Sequence, residues 1–129
     1  MKQHPLQTAG RVRLPYTRRR SDARCVTSLS RLPDVPALKA YGPDFFAGHA
    51  LLLVTDTTAS GSLPPILHTA DITDGYGTVR LHRPLPARNQ CGTQDMATWL
   101  LWAEVPVSWA VLSWTVANPA LPPERLSLY

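Results

Sequence analysis

Apolar and polar positions along this chain alternate in short runs cut by proline, glycine and aspartate, a pattern of short strands rather than long helices. Ala23-Arg24-Cys25-Val26-Thr27-Ser28-Leu29 reads as a first strand. Residues 31–38 turn around Pro33 and Pro36, and Gly42-Pro43-Asp44 belongs to one short helix near 38–47, which Phe45 and Phe46 anchor. Leu51-Leu52-Leu53-Val54 is a continuous apolar run of strand length, suited to a strand covered on both faces. Residues 56–62 read as a polar loop. A strand over 66–72 follows, with Ile66, Ala70 and Ile72 on one face. A turn of two or four residues around Asp74-Gly75 leads into a return strand, and either length points Val79 and Leu81 inward and Arg80 and His82 outward. In the next strand Trp99, Leu101, Ala103 and Val105 share one face, and Leu100, Trp102 and Glu104 the other. Residues 109–116 form a last strand, apolar on both faces. The expected fold is all-β or β-dominated, a single small antiparallel sandwich or barrel of about five to seven short strands with one short helix.

Composition sharpens this picture in two places. Thirteen prolines in 129 residues are about twice the average usage, and each removes a backbone donor, which disfavours long helices. The net charge of +4 is unevenly spread: residues 1–24 hold seven basic side chains against Asp22 alone, a net +6, which leaves −2 for 25–129. The chain divides accordingly into a flexible basic N-terminal arm over 1–20, a β-domain over 21–118 and a Pro-rich C-terminal tail over 119–129. Within the arm, Val12 and Leu14 alternate with Arg11 and Arg13 as a short strand would. No apolar stretch is long enough for a transmembrane helix, and the first residues lack the apolar core of an export signal, so the expectation is either a cytoplasmic start or an N-terminus trimmed from its natural one.

Candidate chemistry is sparse. Cys25 and Cys91 either form one disulfide or stand as two small thiols. His68 and His82 flank the hairpin with parities that place them on opposite faces, and no close His/Cys spacing exists, so neither a metal nor another cofactor is expected. Ser60-Gly61-Ser62 lacks the Gly-x-Ser-x-Gly elbow of a serine hydrolase and reads as a tight loop available to a partner. Asp71 and Asp74 sit at a turn, where carboxylates cap backbone donors. Asp95 precedes an apolar strand and reads as a loop-closing acceptor for backbone N–H groups or for Arg83 or Arg88. Trp99 and Trp102 fall on opposite faces, as do Trp109 and Trp114; Trp102 and Trp114 are the pair expected to present a partner-binding outer face. Arg11, Arg13, Arg18, Arg19 and Arg20 form a candidate polyanion-binding set.

Tyr41, Phe45-Phe46, Leu51-Leu52-Leu53-Val54, Ser60-Gly61-Ser62 and above all Gly92-Thr93-Gln94-Asp95-Met96-Ala97-Thr98-Trp99 resemble a small bacterial β-domain common in Firmicutes proteins. That domain is related to the C-terminal domain of a protease-complex accessory subunit, the PrcB-like domain. The resemblance spans roughly 23–117. It implies an extracytoplasmic setting, a stabilising role for a partner protein and no catalytic residues. The family form carries a cysteine between the Thr and the Asp, where this chain has Gln94, with Cys91 three residues earlier.

The leading functional expectation is a non-enzymatic protein-interaction or accessory module whose partner is another protein. The alternative is nucleic-acid or anionic-surface binding through the Arg-rich arm. A third is a small hydrolase using Cys91 or a loop serine.

Overall fold

The computed structural model describes residues 2–15, 21–58, 64–82 and 97–117. Eight strands carry the described chain: β1 (Lys2–Pro5), β2 (Gly10–Leu14), β3 (Asp22–Val26), β4 (His49–Thr58), β5 (Ile66–Thr73), β6 (Tyr76–His82), β7 (Ala97–Pro106) and β8 (Ser113–Val116). They form two four-stranded sheets, sheet A in the order β1-β5-β6-β8 and sheet B in the order β2-β7-β4-β3. All pairings are antiparallel except β6 with β8. The protein is a β-sandwich.

The two longest strands explain the layering. β4 and β7 pair along their whole length, from His49↔Pro106 to Thr58↔Ala97. Side chains alternate between faces, and both faces of this pair are apolar. Ala50, Leu52, Val54, Leu101, Ala103 and Val105 point to sheet A and meet Leu67 and Val79. Leu51, Leu53, Leu100 and Trp102 point away and are buried by Val26, Val35 and Leu38, with Leu32, Tyr41, Phe45 and Phe46 packed around them. That second cover is a string of short pieces: 3-10 turns at Leu29–Arg31 and Pro36–Ala40, then α1 (Pro43–Phe46). Pro36 and Pro43 each stand at a helix start, where a missing N–H costs nothing. Sheet B is therefore covered on both faces and sheet A on one.

The hairpin has the two-residue form. Thr73 pairs with Tyr76, and Asp74 and Gly75 both take positive φ, 41° and 84°, as a type I′ turn requires. Between Leu67 and Thr69 the register of β5 shifts by a bulge. The extra residue reverses which side chains face inward. Leu67 and Ala70 enter the core while Ile66 is left 40% exposed, so Ile66, Ala70 and Ile72 do not share one face. His68 and His82 correspondingly both lie exposed on the outside of sheet A, opposite the inward Leu67 and Leu81.

Three further expectations are corrected. Residues 2–14 are not a free arm: β1 adds to the edge of sheet A, pairing Lys2–Pro5 with 69–72, and β2 adds to the edge of sheet B. The alternation in Arg11-Val12-Arg13-Leu14 turns Val12 and Leu14 onto the cluster between sheet B and its cover. The polar stretch after Val54 continues β4 through Thr58, burying Asp56. The run 109–116 is not one strand. A 3-10 turn at Val107–Val111 carries the chain from sheet B across to sheet A, and only Ser113–Val116 pairs, alongside β6.

Candidate binding cleft

Residues 6–9 pass from the edge of one sheet to the edge of the other. Leu6 N–H donates to the His68 carbonyl in sheet A at 2.8 Å, and Ala9 N–H donates to the Trp102 carbonyl in sheet B at 2.8 Å. Thr8 Oγ1 accepts from Leu67 N–H at 3.1 Å. The crossover thus ties the sheets together, but it leaves the last residues of β7 without β2 beside them. The gap is an open cleft of about 730 Å³, lined by the crossover with His4 on one side, by Glu104, Val105 and Pro106 on the other, and by Trp109.

The aromatic wall of the cleft is held from several directions. His4 meets Trp109 edge-on at 5.3 Å between ring centroids, and Trp114 packs on it at a tilt at 5.5 Å. Trp114 Nε1–H donates to the Trp109 carbonyl at 2.9 Å, as does Leu112 N–H at 3.2 Å. On the outer side of sheet B, the exposed Glu104 carboxylate accepts from the Tyr41 hydroxyl at 2.9 Å. Burial, reinforced by that bond to Glu104, holds the Tyr41 phenol above its ordinary pKa. The cleft therefore combines a fixed aromatic surface with Glu104, whose carboxylate Tyr41 orients from outside the cleft, and with the main chain of the crossover and of β7, a mixture suited to recognition.

The anticipated site residues are not gathered there. Trp102 does not present an outer face: it is 4% exposed, under the cover of sheet B, with its ring over Gly10. Trp114 is half-buried and faces the space between the sheets, its ring over Gly77. Cys25 is a free thiol on the inner side of β3, not half of a disulfide, and burial pushes its pKa up to about 11. Arg11 and Arg13 are exposed on β2, an ordered strand. Arg18, Arg19, Arg20, Ser60, Gly61, Ser62, Cys91 and Asp95 lie outside the described residues, as does the C-terminal tail.

Several polar groups escaped sequence reasoning. His4 and Glu104 enter the cleft only because the crossover places them together. Asp56, 1% exposed, accepts a bond from the Ser21 hydroxyl. Asp71 is not a turn cap; it lies within β5, 7% exposed, and its Oδ2 accepts from Arg80 Nε at 2.7 Å. Asp71 pairs with Thr78 and Arg80 with Thr69, so the two are diagonal neighbours on one face of the Asp-Gly hairpin, and that placement is the signal for the ion pair. Among the described residues, no group of three His, Cys, Asp or Glu side chains is placed to hold a metal ion, and no helix is long and apolar enough to cross a membrane.

No family model matches this chain, and no curated protein or solved structure matches it.

Proposed function

We propose that this protein is an interaction module that binds a segment of another protein in the cleft between the crossover and the end of β7. The observation that carries this reading is the cleft itself: about 730 Å³ of open space lined by Trp109, which His4 and Trp114 hold on the inner side, and by Glu104, whose carboxylate Tyr41 holds on the outer side of sheet B. An anchored aromatic ring supplies contact area at little cost in side-chain freedom, and a fixed carboxylate supplies selectivity. The resemblance to the PrcB-like accessory domain supports the same class of role. The experiment is selection of random dodecapeptides displayed on phage against the full-length chain. Enriched peptides that lose binding to Trp109→Ala but keep it with Arg11→Ser support the module; a selection that yields no Trp109-dependent peptide overturns it.

A second reading rests on Arg11, which stands exposed beside Arg13 on one face of an edge strand. It predicts binding to heparin or nucleic acid that falls steeply with salt and is lost on Arg11→Ser.

A further inference from the structure

Resting on the cleft reading above, we propose that the partner segment binds by strand addition: an extended peptide with a lysine or arginine between two apolar residues pairs with the open edge of β7 at Glu104. Two main-chain hydrogen bonds fix which residues of β7 face that edge. Ala9 N–H donates to the Trp102 carbonyl at 2.8 Å, so Trp102 turns its main chain toward β2. Val107 N–H donates to the Gly48 carbonyl at 3.4 Å, so Val107 turns toward the β4 side. Main-chain direction alternates along an antiparallel strand. Trp102, Glu104 and Pro106 accordingly face the β2 side, and Ala103 and Val105 face β4.

The pairing of β2 with β7 stops at Gly10↔Trp102, whereas β4 continues to Pro106. Before Ala9 the chain has already turned to sheet A, where Leu6 and Thr8 make their bonds. The N–H and carbonyl of Glu104 and the carbonyl of Pro106 are left on an edge that no strand among the described residues pairs with. That edge lines the cleft. A short strand laid there continues the line of β2, and strand addition to an open edge is a recurrent mode of peptide recognition.

Register then sets the chemistry of the occupant. In an antiparallel peptide the residue opposite Glu104 exchanges two bonds with it, while the residue opposite Pro106 can only donate, because proline has no N–H. The side chain opposite Glu104 projects on the same outer face as the Glu104 carboxylate, which is exposed and oriented by Tyr41. A lysine or arginine at that position is complementary. Its two neighbours project to the inner face, toward Trp109 and His4, where apolar side chains fit.

The test combines amide exchange by NMR on the full-length protein with N-methyl scanning of peptides from the dodecapeptide selection. In the free protein the Glu104 amide is expected to exchange at least about tenfold faster than those of Ala103 and Val105, and to become protected when peptide binds. N-methylation of the residue opposite Glu104 is expected to weaken binding about tenfold, with both neighbours tolerant. Glu104→Gln should remove the preference for a basic residue while leaving measurable binding, because the main chain is unchanged. A Glu104 amide as slow as its neighbours in the free protein overturns the proposal. Trp109-dependent binding without a two-residue period in the N-methyl scan overturns strand addition alone and leaves the cleft reading standing. Absence of any Trp109-dependent peptide overturns both.

Discussion

Sheets A and B have four strands each but solve the problem of burial differently. In sheet B the central strands β4 and β7 are apolar on both faces, and the Pro-rich segment after β3 closes over the outer one. In sheet A the inner face carries Leu67, Ala70 and Val79, and the outer face carries Thr69, Asp71, Thr78 and Arg80. The lesson is that a continuous apolar run announces a second cover, whereas polar residues recurring between apolar ones announce a face left to polar groups, even where a bulge shifts the alternation. The difference has an energetic counterpart that mutation can expose.

The largest effects belong in sheet B. Leu52 and Leu53 point to opposite faces, and they are 0% and 2% exposed. Truncation of either to alanine is expected to cost about 3 kcal/mol, within the range for fully buried leucines. Urea denaturation with an unchanged slope is the measurement. Thr78→Ala on the outer face of sheet A should stay within about 0.5 kcal/mol of wild type. A mild Leu53→Ala would mean that the short helical pieces are not a true second layer, and the contrast between the sheets would collapse.

A second pair of sites compares the sheets at one shared device. In each, a tryptophan ring lies flat over a glycine on the neighbouring strand, Trp102 over Gly10 and Trp114 over Gly77. A Cβ built on Gly10 would stand 2.3 Å from the Trp102 ring, and one on Gly77 2.5 Å from that of Trp114. Alanine at either position is expected to destabilise by about 1–3 kcal/mol through overpacking. Gly10→Ala should be the worse, because Trp102 is sealed beneath the cover while the half-buried Trp114 has room to shift. Equal costs would show that the sealed layer yields as readily as the open one.

The outer face of sheet A supplies the next test. Arg80 is half-exposed, yet its Nε is bound to the buried Oδ2 of Asp71, so Arg80→Ala leaves a 7% exposed carboxylate without its cation. The expected loss is about 1–3 kcal/mol, set by the stranded carboxylate more than by the ion pair itself. Asp71→Asn in the Arg80→Ala background should recover part of it. If Arg80→Ala is neutral, Asp71 is adequately hydrated and that face is less buried than its geometry implies.

These contrasts also mark what could be read from residue order. The two-sided burial of the Leu-rich strand, the opposite facing of Trp99 and Trp102, and the Asp74-Gly75 hairpin follow from periods of two and from turn chemistry, both local properties. The bulge at Leu67/Thr69 was illegible because it exists only relative to a partner strand, and one extra residue was enough to invert Ile66 and bring His68 to the face of His82. β2 was hidden for another reason. Its two arginines and flanking Gly10 and Pro15 look like solvated chain, although Gly10 is there to admit the Trp102 ring. The cleft was least legible of all. His4 and Glu104 are 100 positions apart in the sequence, and only the crossover at 6–9 brings both to one cleft.

The last prediction probes the seam where the two sheets meet on the side away from the crossover. There β3, an edge of sheet B, runs beside β8, an edge of sheet A, and Cys25 faces inward between them. Burial raises its thiol from 9.0 to about 11, so at pH 8 the reactive thiolate is about a hundredfold scarcer than in an unfolded chain. Alkylation of Cys25 in the native protein, followed by mass spectrometry of its peptide, should be slower than in urea by about that factor. The sign for stability follows from the same shift. Folding favours the neutral thiol, so its contribution is whole below pH 9 and is lost as pH rises from 9 through about 11. Native labelling as fast as that of the unfolded chain would mean that β3 and β8 part readily. The sandwich would then be held at its crossover and hinged at its seam, rather than closed on both sides.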